Sequence, residues 1–476
     1  MLRRIFCIFA LCPVLSAAPP NFIMVFIDDM GWGDFSCFGN KDAQTPIIDR
    51  IAAEGIRFEQ FHVNSPICSP SRCALTTGQY PQRWRINSYL NNRADNARRG
   101  VANWLDPKAP TLARVLQQNG YATGHFGKWH LGGQRDVDDA PPITAYGFDE
   151  SLTNFEGMGA KLLPLTMKPG ETEPGKIWGD AERLGKPVTW MQRSKITSGF
   201  IDAALPFIDK AAAAKKPFFV NLWPDDVHGP WWPPTDKWAD GKRGLYLSVL
   251  EEMDRQFSKL FDHLRSRPEL RENTLLLICS DNGPEPGAGS AGPFRGSKTT
   301  LYEGGTRSPL IVWGPGLIDQ NKAGTVNTKS IFAAFDLAPS LLSIAKINDQ
   351  KIAFDGENIA PALLGQNEVS RIAPIYWRRP PDRKTAAPAL PERLPDLAMR
   401  DGNWKLLCEY DGTRPKLYDL AQDRGETTNL ATKQPEIVAR MTSSLLNWHQ
   451  EMPPDNGPAL SREQPEAKGK KKAKSN

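Results

Sequence analysis

Residues 21–27, Asn-Phe-Ile-Met-Val-Phe-Ile, are an almost unbroken apolar run, and Asp28 and Asp29 follow it without a spacer. A run that short and that apolar fits a strand covered on both faces, in the interior of a sheet rather than on a half-solvated one. Three more runs have the same form, at 121–126, 217–222 and 274–279, each followed within a few positions by polar residues. Between them lie segments with helical spacing: 46–53 opened by Thr45, 112–119 opened by Thr111, 196–214 and 247–264. Buried strands alternating with helices predict an α/β fold with a large sheet flanked by helices.

Beyond residue 160 the pattern weakens. Residues 161–195 mix Pro, Gly, Lys and Thr without a clear period and read as an irregular excursion near the rim of the active site. A Pro-rich stretch over 379–395 interrupts the later part of the chain; 404–408 and 416–420 then read as short alternating strands, and 435–450 as a closing helix. These elements predict a smaller antiparallel sheet with one helix packed against the large unit, the seam falling near 360–375. The expected division is a signal peptide at 1–18, a large domain at 19–365, a C-terminal subdomain at 366–455 and a disordered basic tail at 456–476.

The net charge of +5 is accounted for by Lys468, Lys470, Lys471, Lys472 and Lys474 in that tail. The body is then neutral, which argues against a nucleic-acid partner, since such binding needs clustered basic surface on the folded domain. Arg3 and Arg4, an apolar run over 5–15 and the small residues Ser16, Ala17 and Ala18 read as a signal peptide. The run is too short for a bilayer and no later stretch approaches ~20 apolar residues, so export to the periplasm or beyond, without a membrane span, is expected. Leu11 before Cys12 is not small, which argues against lipidation there. Of seven cysteines, Cys7 and Cys12 go with the signal, leaving Cys37, Cys68, Cys73, Cys279 and Cys408. An odd count in an exported chain suggests one cysteine with a different chemistry.

Asp28 and Asp29 sit just beyond one strand, and Asp281 with Asn282 just beyond another. Ligands bind at the carboxyl ends of strands in α/β folds. Three carboxylates and a carboxamide are an all-oxygen set suited to Ca2+, or to Mg2+, rather than to zinc. Taken alone, each pair is equally at home as turn or helix-cap residues.

Residues 68–78, Cys-Ser-Pro-Ser-Arg-Cys-Ala-Leu-Thr-Thr-Gly, decide between these readings. They resemble the signature of the formylglycine-dependent type I sulfatases, which is Cys or Ser, any residue, Pro, any residue, Arg, then a Thr-Gly; here these are Cys68, Pro70, Arg72, Thr77 and Gly78. The segments 127–132 (Gly-Lys-Trp-His-Leu-Gly), 302–310 with Trp313-Gly-Pro-Gly, and 416–420 with Asn429-Leu-Ala431 resemble the same family, and the resemblance spans nearly the whole mature chain. It implies an alkaline phosphatase-like fold and membership of the branch containing arylsulfatase A, N-acetylgalactosamine-6-sulfatase and many bacterial glycan sulfatases.

The resemblance further implies that a maturation enzyme converts Cys68 to formylglycine, whose hydrate attacks sulfur. Asp28, Asp29, Asp281, Asn282 and the modified Cys68 would hold the cation, and Arg72 and Lys128 the charge of the sulfate. His130 would take the diol proton, while His228 protonates the leaving alkoxide beside Lys298. Gly304, Gly305 and Arg307 are read as architectural.

A sulfated oligo- or polysaccharide is the expected substrate. Trp231 and Trp232, after His228, are candidates to stack on a sugar, with Arg295, Arg378, His125 and Asn103 as further candidates. Two alternatives remain: a phosphate or phosphonate ester hydrolase with the same nucleophile, and a non-catalytic glycan-binding relative.

Overall fold

The structure is a computed structural model that describes residues 18–348, 352–383 and 393–457. The expected signal segment, apart from its last residue, and the basic tail from 458 onward lie outside these residues. No helix among the described residues is long and apolar enough to cross a membrane.

The first apolar run forms β1 (Asn21–Ile27), buried at every position. Around it lie β2 (Ile56–Phe58), β3 (Ala122–Gly127), β4 (Glu150–Leu152), β5 (Phe218–Trp223), β6 (Thr274–Ser280), β7 (Leu310–Trp313) and β8 (Val326–Asn327). Their order is β8-β2-β7-β6-β1-β5-β3-β4. β1 pairs in parallel with β6 and β5, whereas β7 is antiparallel to both β6 and β2, so the sheet is mixed. Three of the four apolar runs, as β6, β1 and β5, thus lie side by side, where only a strand that is apolar on both faces avoids stranding polar groups.

Two apolar layers cover this sheet. One face packs on helices α4 (Ile196–Ala213) and α5 (Gly241–Arg265) through Phe200, Ile208, Leu250 and Phe257, and the other on a layer that includes Leu112 and Leu116 of α3 (Leu112–Gln118). Thr111 caps α3 by accepting the Arg114 N–H. Thr45 precedes α1 (Pro46–Glu54) but makes no side-chain cap; its hydroxyl donates to Asp49 and accepts the Ser36 N–H. Helix α5 begins at Gly241, six residues before the expected start at 247, because its glycine-containing first turns carry no apolar stripe.

Residues 161–195 are more ordered than their sequence indicates. They form a three-stranded sheet with Lys161–Thr166 between Gly175–Lys176 and Val188–Gln192. Pro164 inside the central strand and the two-residue length of one partner conceal the alternation that marks strands.

The C-terminal sheet holds β9 (Ile375–Arg378), β10 (Leu397–Asp401), β11 (Trp404–Cys408) and β12 (Lys416–Asp419), all antiparallel. Helix α6 (Pro435–Glu451) covers it with Met441, Leu445 and Trp448. Sequence periodicity picks out only β11 and β12, because the Pro-rich stretch that begins with Pro380 and Pro381 masks β9 and β10 on either side of it. Cys37, Cys68, Cys73, Cys279 and Cys408 are all free.

Candidate active site

Every expected catalytic and metal-site residue lies at the carboxyl ends of β1, β3, β5 and β6 or on a helix or loop that faces them. Asp28 and Asp29 follow β1, and both are fully buried. The Asp281 N–H donates to the Ile27 carbonyl at 3.0 Å and the Asp29 N–H to Asp281 Oδ1 at 3.1 Å, so the two strand ends are locked together. Asn282 donates through Nδ2 to Asp29 Oδ1 at 2.9 Å and to the Gly283 carbonyl at 2.9 Å. That fixes the amide with its Oδ1 buried and unpartnered; Asp28 Oδ1 is likewise without a hydrogen bond.

Cys68 is the first residue of α2 (Cys68–Thr77), whose ten residues are all buried although half are polar. Such a helix is held by its hydrogen bonds rather than by an apolar stripe. Ser71 Oγ donates to the Ser65 carbonyl, and Ser69 Oγ accepts the Leu90 N–H. One ligand atom each from Asp28, Asp29 and Cys68 lie within 4.8 Å of one another. Burying a polar helix on every side would serve no purpose for a surface thiol; here it brings Sγ to the carboxylates.

Arg72, one turn along, donates through Nε and Nη2 to Asp281 Oδ2 at 3.1 and 2.7 Å and through Nη1 to the Lys128 carbonyl at 2.8 Å. Its third partner is Asp28, whose Oδ1 forms an ion pair with Nη2 at 3.3 Å. Lys128 Nζ donates to Asp28 Oδ2 at 2.6 Å. Gly127, with φ 130°, allows this approach, since a Cβ there would stand 1.9 Å from the Trp223 carbonyl oxygen. Lys298 Nζ pairs with Asp29 Oδ2. Three carboxylates thus face three cations, with solvent on one side only.

Burial alone would raise Asp28, but Lys128, His228 and Arg72 together hold it well below the ordinary carboxylate range. Burial and the neighbouring Asp28 push Asp281 up to about 7 against the pull of Arg72. Burial would loosen the Arg72 proton, but the contact with Asp281 holds it more tightly than usual. Burial pushes the Cys68 thiol up to about 11.

His130 has a left-handed backbone, φ 55°, and its N–H donates to Glu156 Oε1 at 2.9 Å. Burial, then Lys128 and Arg72, drive its pKa well below the usual value, so the imidazole is neutral, and Nδ1 is without a partner. His228 is the most exposed of the group, its side chain 39% accessible, with Nδ1 donating to the Gly229 carbonyl at 2.6 Å and Nε2 3.4 Å from Asp29 Oδ2.

A cavity of about 360 Å3 opens over Asp28, Cys68, Lys128, His130, His228 and Lys298. That is the size of a small-ligand site. Residues that sequence reasoning missed complete its wall: Tyr89, Phe155, Trp178, Arg193, Asp225 and Arg383. Phe155 packs on Trp178 with centroids 4.5 Å apart, and Arg193 Nη1 donates to Asp225 Oδ1 at 2.7 Å, both of that pair buried. Asp225 follows β5 as Asp28 follows β1, so the signal that singled out Asp28 was present there too.

The expected substrate residues lie elsewhere. Trp231 donates through Nε1 to the Val227 carbonyl and packs on Tyr246. Arg378 is buried in the C-terminal sheet, bonded to the carbonyls of Pro453 and His449. Arg295 donates to the Glu426 carbonyl, and Asn103 accepts from Asn96. His125 is fully buried, edge-on to Trp129, Phe148 and Trp223. These side chains are structural in one sense: their polar atoms or rings are turned into the protein by neighbours, away from the cavity. Trp232 lines a separate, adjacent cavity.

Residues 20–347 match the sulfatase family. The chain belongs to the sulfatase family. It is 34% identical over 378 residues to N-acetylgalactosamine-6-sulfatase from Canis lupus familiaris, covering 76% of this chain and 69% of that protein. To N-acetylgalactosamine-6-O-sulfatase from Bacteroides thetaiotaomicron it is 28% identical over 503 residues, covering 90% and 92%. Among solved structures, Ps i-CgsB in complex with k-i-k-neocarrahexaose superposes with a TM-score of 0.73 at 26% identity, covering 90% of this chain and 92% of that one. This sulfatase is therefore a sulfuric ester hydrolase, built on the large mixed sheet with a separate antiparallel sheet that its relatives share.

Proposed function

We propose that this sulfatase removes sulfate from a sulfated carbohydrate, using a formylglycine made from Cys68 and a divalent cation, Ca2+ or Mg2+, held by Asp28, Asp29, Asp281, Asn282 and residue 68. One observation carries the cation: two buried oxygens, Asp28 Oδ1 and Asn282 Oδ1, have no hydrogen bond although they stand among three carboxylates. A buried acceptor without a hydrogen bond is costly, Asp28 Oδ1 being eased only by the Arg72 ion pair at 3.3 Å, and an all-oxygen set of this kind suits a hard cation. The chain's own charges at the site already cancel, three against three, so a divalent ion leaves the site positive, as an anionic ester requires. Hydrated formylglycine supplies what serine or cysteine cannot, two hydroxyls on one carbon, one to attack sulfur and one to let the sulfate go.

The side chains divide the remaining work. Lys128, Lys298 and Arg72 gather the sulfate oxygens and offset their charge. His228 gives a proton to the leaving sugar oxygen. Its Nδ1–H is committed to the Gly229 carbonyl, so the proton delivered is the one on Nε2 of the imidazolium. His130, kept neutral by its surroundings, is the base that accepts a proton when sulfate leaves. The Phe155–Trp178 wall and the Arg193–Asp225 pair offer a sugar an apolar face and hydrogen bonds.

The maturation enzyme is then a partner that acts before α2 folds shut, and with the signal peptide read from the sequence that encounter falls on the export route. Peptide mass spectrometry of the active protein should find the mass of formylglycine at residue 68. Cys68→Ala should lose turnover of an aryl sulfate entirely. An unmodified Cys68 in active enzyme, or substantial activity in the variant, would sink the scheme. A panel of positionally sulfated galactose, N-acetylgalactosamine and glucosamine saccharides tests the carbohydrate reading, which fails if only aryl sulfates are hydrolysed.

A further inference from the structure

We infer that the cavity beside the active-site pocket is a second saccharide subsite, so that the sulfated sugar is taken as part of a longer chain. The inference rests on the carbohydrate reading above. The cavity has a volume of about 230 Å3 and is lined by Leu165, Met167, Gln192, Ser194, Trp232 and Asp236 among others.

Two stretches of chain lead from one cavity into the other. Arg193 is a wall of both, its guanidinium pairing with Asp225 on the side of the first. His228, Gly229 and Pro230 line the first cavity, and the same strand of chain, four residues on, lines the second from Trp232 to Asp236. Trp231 between them is pinned to the Val227 carbonyl at 2.6 Å, which holds the segment in this course. The neighbouring cavity is thus built on the element that carries the proposed acid, His228.

The lining has the two kinds of surface a pyranose needs. Trp232, braced edge-on by Trp238 at 5.8 Å, Met167 and Leu165 give an apolar platform for ring C–H groups. Gln192, Ser194, Lys195, Thr235 and Asp236 surround it with donors and acceptors for hydroxyls. Lys195 has no ion-pair partner among the described residues. A purely structural cleft has no need of an indole beside five polar side chains.

The test uses the saccharide that the panel above identifies as hydrolysed, once as the sulfated monosaccharide and once as a tetrasaccharide that carries the same sulfated unit, with 4-nitrophenyl sulfate as the probe that reaches the first cavity only. The wild-type enzyme should favour the tetrasaccharide in kcat/KM. Trp232→Ala should cost the tetrasaccharide on the order of tenfold, mainly in KM, and leave the other two within about twofold. Trp232→Phe should recover most of the loss. Thr235→Trp, at an exposed position, should fill the cavity and reproduce the loss without disturbing the core. Equal kcat/KM for the mono- and tetrasaccharide in the wild type overturns the subsite, as does an equal loss on all three substrates in both Trp232→Ala and Thr235→Trp. If the aryl sulfate turns over and no saccharide does, the carbohydrate reading has failed and the subsite falls with it; a hydrolysed saccharide with no length preference fails the subsite alone.

Discussion

Two of the clusters of buried charge in this sulfatase are finished differently. Around Glu303, where the large sheet meets the C-terminal one, Lys405 Nζ donates to Oε1 at 2.7 Å, and Arg307 and His62 approach Oε2 at 2.6 and 3.1 Å. Both oxygens are satisfied. Burial would raise Glu303, but Lys405 and Arg307 hold it well below the usual range. At the ends of β1 and β6, by contrast, Asp28 is hydrogen-bonded on one oxygen only, Asn282 Oδ1 on none, and Asp281 is pushed up by burial and by its neighbours. The first cluster joins two sheets with both Glu303 oxygens bonded, and its unbonded acceptor, Glu426 Oε1, stands 4.0 Å from Lys405 Nζ with no cavity over it among the described residues. The second opens on a cavity and carries unspent acceptors, the condition of a site that accepts a ligand rather than a brace that holds a fold.

The widest separation between the two should come from their response to a chelator. Glu303→Gln leaves Lys405, Arg307 and Arg400 facing a neutral group and should cost about 3–5 kcal/mol of unfolding free energy, the same with and without EDTA, while activity per folded molecule changes little. Asp28→Asn should cut turnover on the order of a thousandfold. EDTA should lower the unfolding midpoint of the wild type and leave that of Asp28→Asn almost unmoved, because only a bound ion adds stability by mass action. If EDTA shifts neither protein, the open cluster holds no cation and its orphaned oxygens need another explanation.

A smaller effect is expected behind His130. Glu156 is buried, raised to about 7 by that burial, and its Oε1 is the acceptor for the N–H of a residue in a left-handed backbone. Such a conformation persists only where the surroundings over-determine it. Glu156→Ala should therefore lower kcat by roughly ten- to a hundredfold with KM nearly unchanged, and Glu156→Gln, which keeps a carbonyl acceptor, should regain most of it. Loss in both variants alike would make the charge, not the hydrogen bond, the operative feature.

These contrasts explain what the sequence could and could not tell. β1, β5 and β6 were legible because a strand buried on both faces must be apolar throughout, and Asp28, Asp29, Asp281 and Asn282 were legible because they abut those strands. Cys68, Arg72, Lys128 and His130 stood out through short motifs. The wall of the cavity did not, since Tyr89, Trp178 and Arg193 come from separate segments that only the three-stranded excursion and its neighbours bring together. Tryptophans beside His228 invited a stacking role by proximity in sequence, yet Trp231 points inward while Trp178, far earlier in the chain, lines the pocket. Of the Glu303 cluster only Arg307 was legible, as an architectural residue; the other members, from His62 to Lys405, are far apart in the chain, and charge in a sequence gives no sign of being buried.

His125 belongs to neither cluster and offers the finest test of the distinction. It is fully buried among Trp129, Phe148 and Trp223, and burial, reinforced by the Arg72 charge, lowers its pKa to about 3. The folded protein thus keeps it neutral where the unfolded chain, with an ordinary value of about 6.5, takes up a proton. The unfolded state binds more protons between those two values, so stability is lost as pH falls through about 6.5 and goes on falling toward about 3. From about pH 7 to about pH 5 this one ring should remove about 2 kcal/mol. His125→Phe keeps the aromatic packing and removes the proton site, so the wild-type and variant unfolding free energies should diverge by that amount over the same interval, the variant losing less. His62 in the closed cluster is also lowered to about 3 by burial, but there Glu303 opposes the shift, so its replacement would disturb the brace as well as the titration. Parallel curves for wild type and His125→Phe would mean that the ring takes its proton inside the folded protein, and that the aromatic cage behind the active site is wetter than its packing implies.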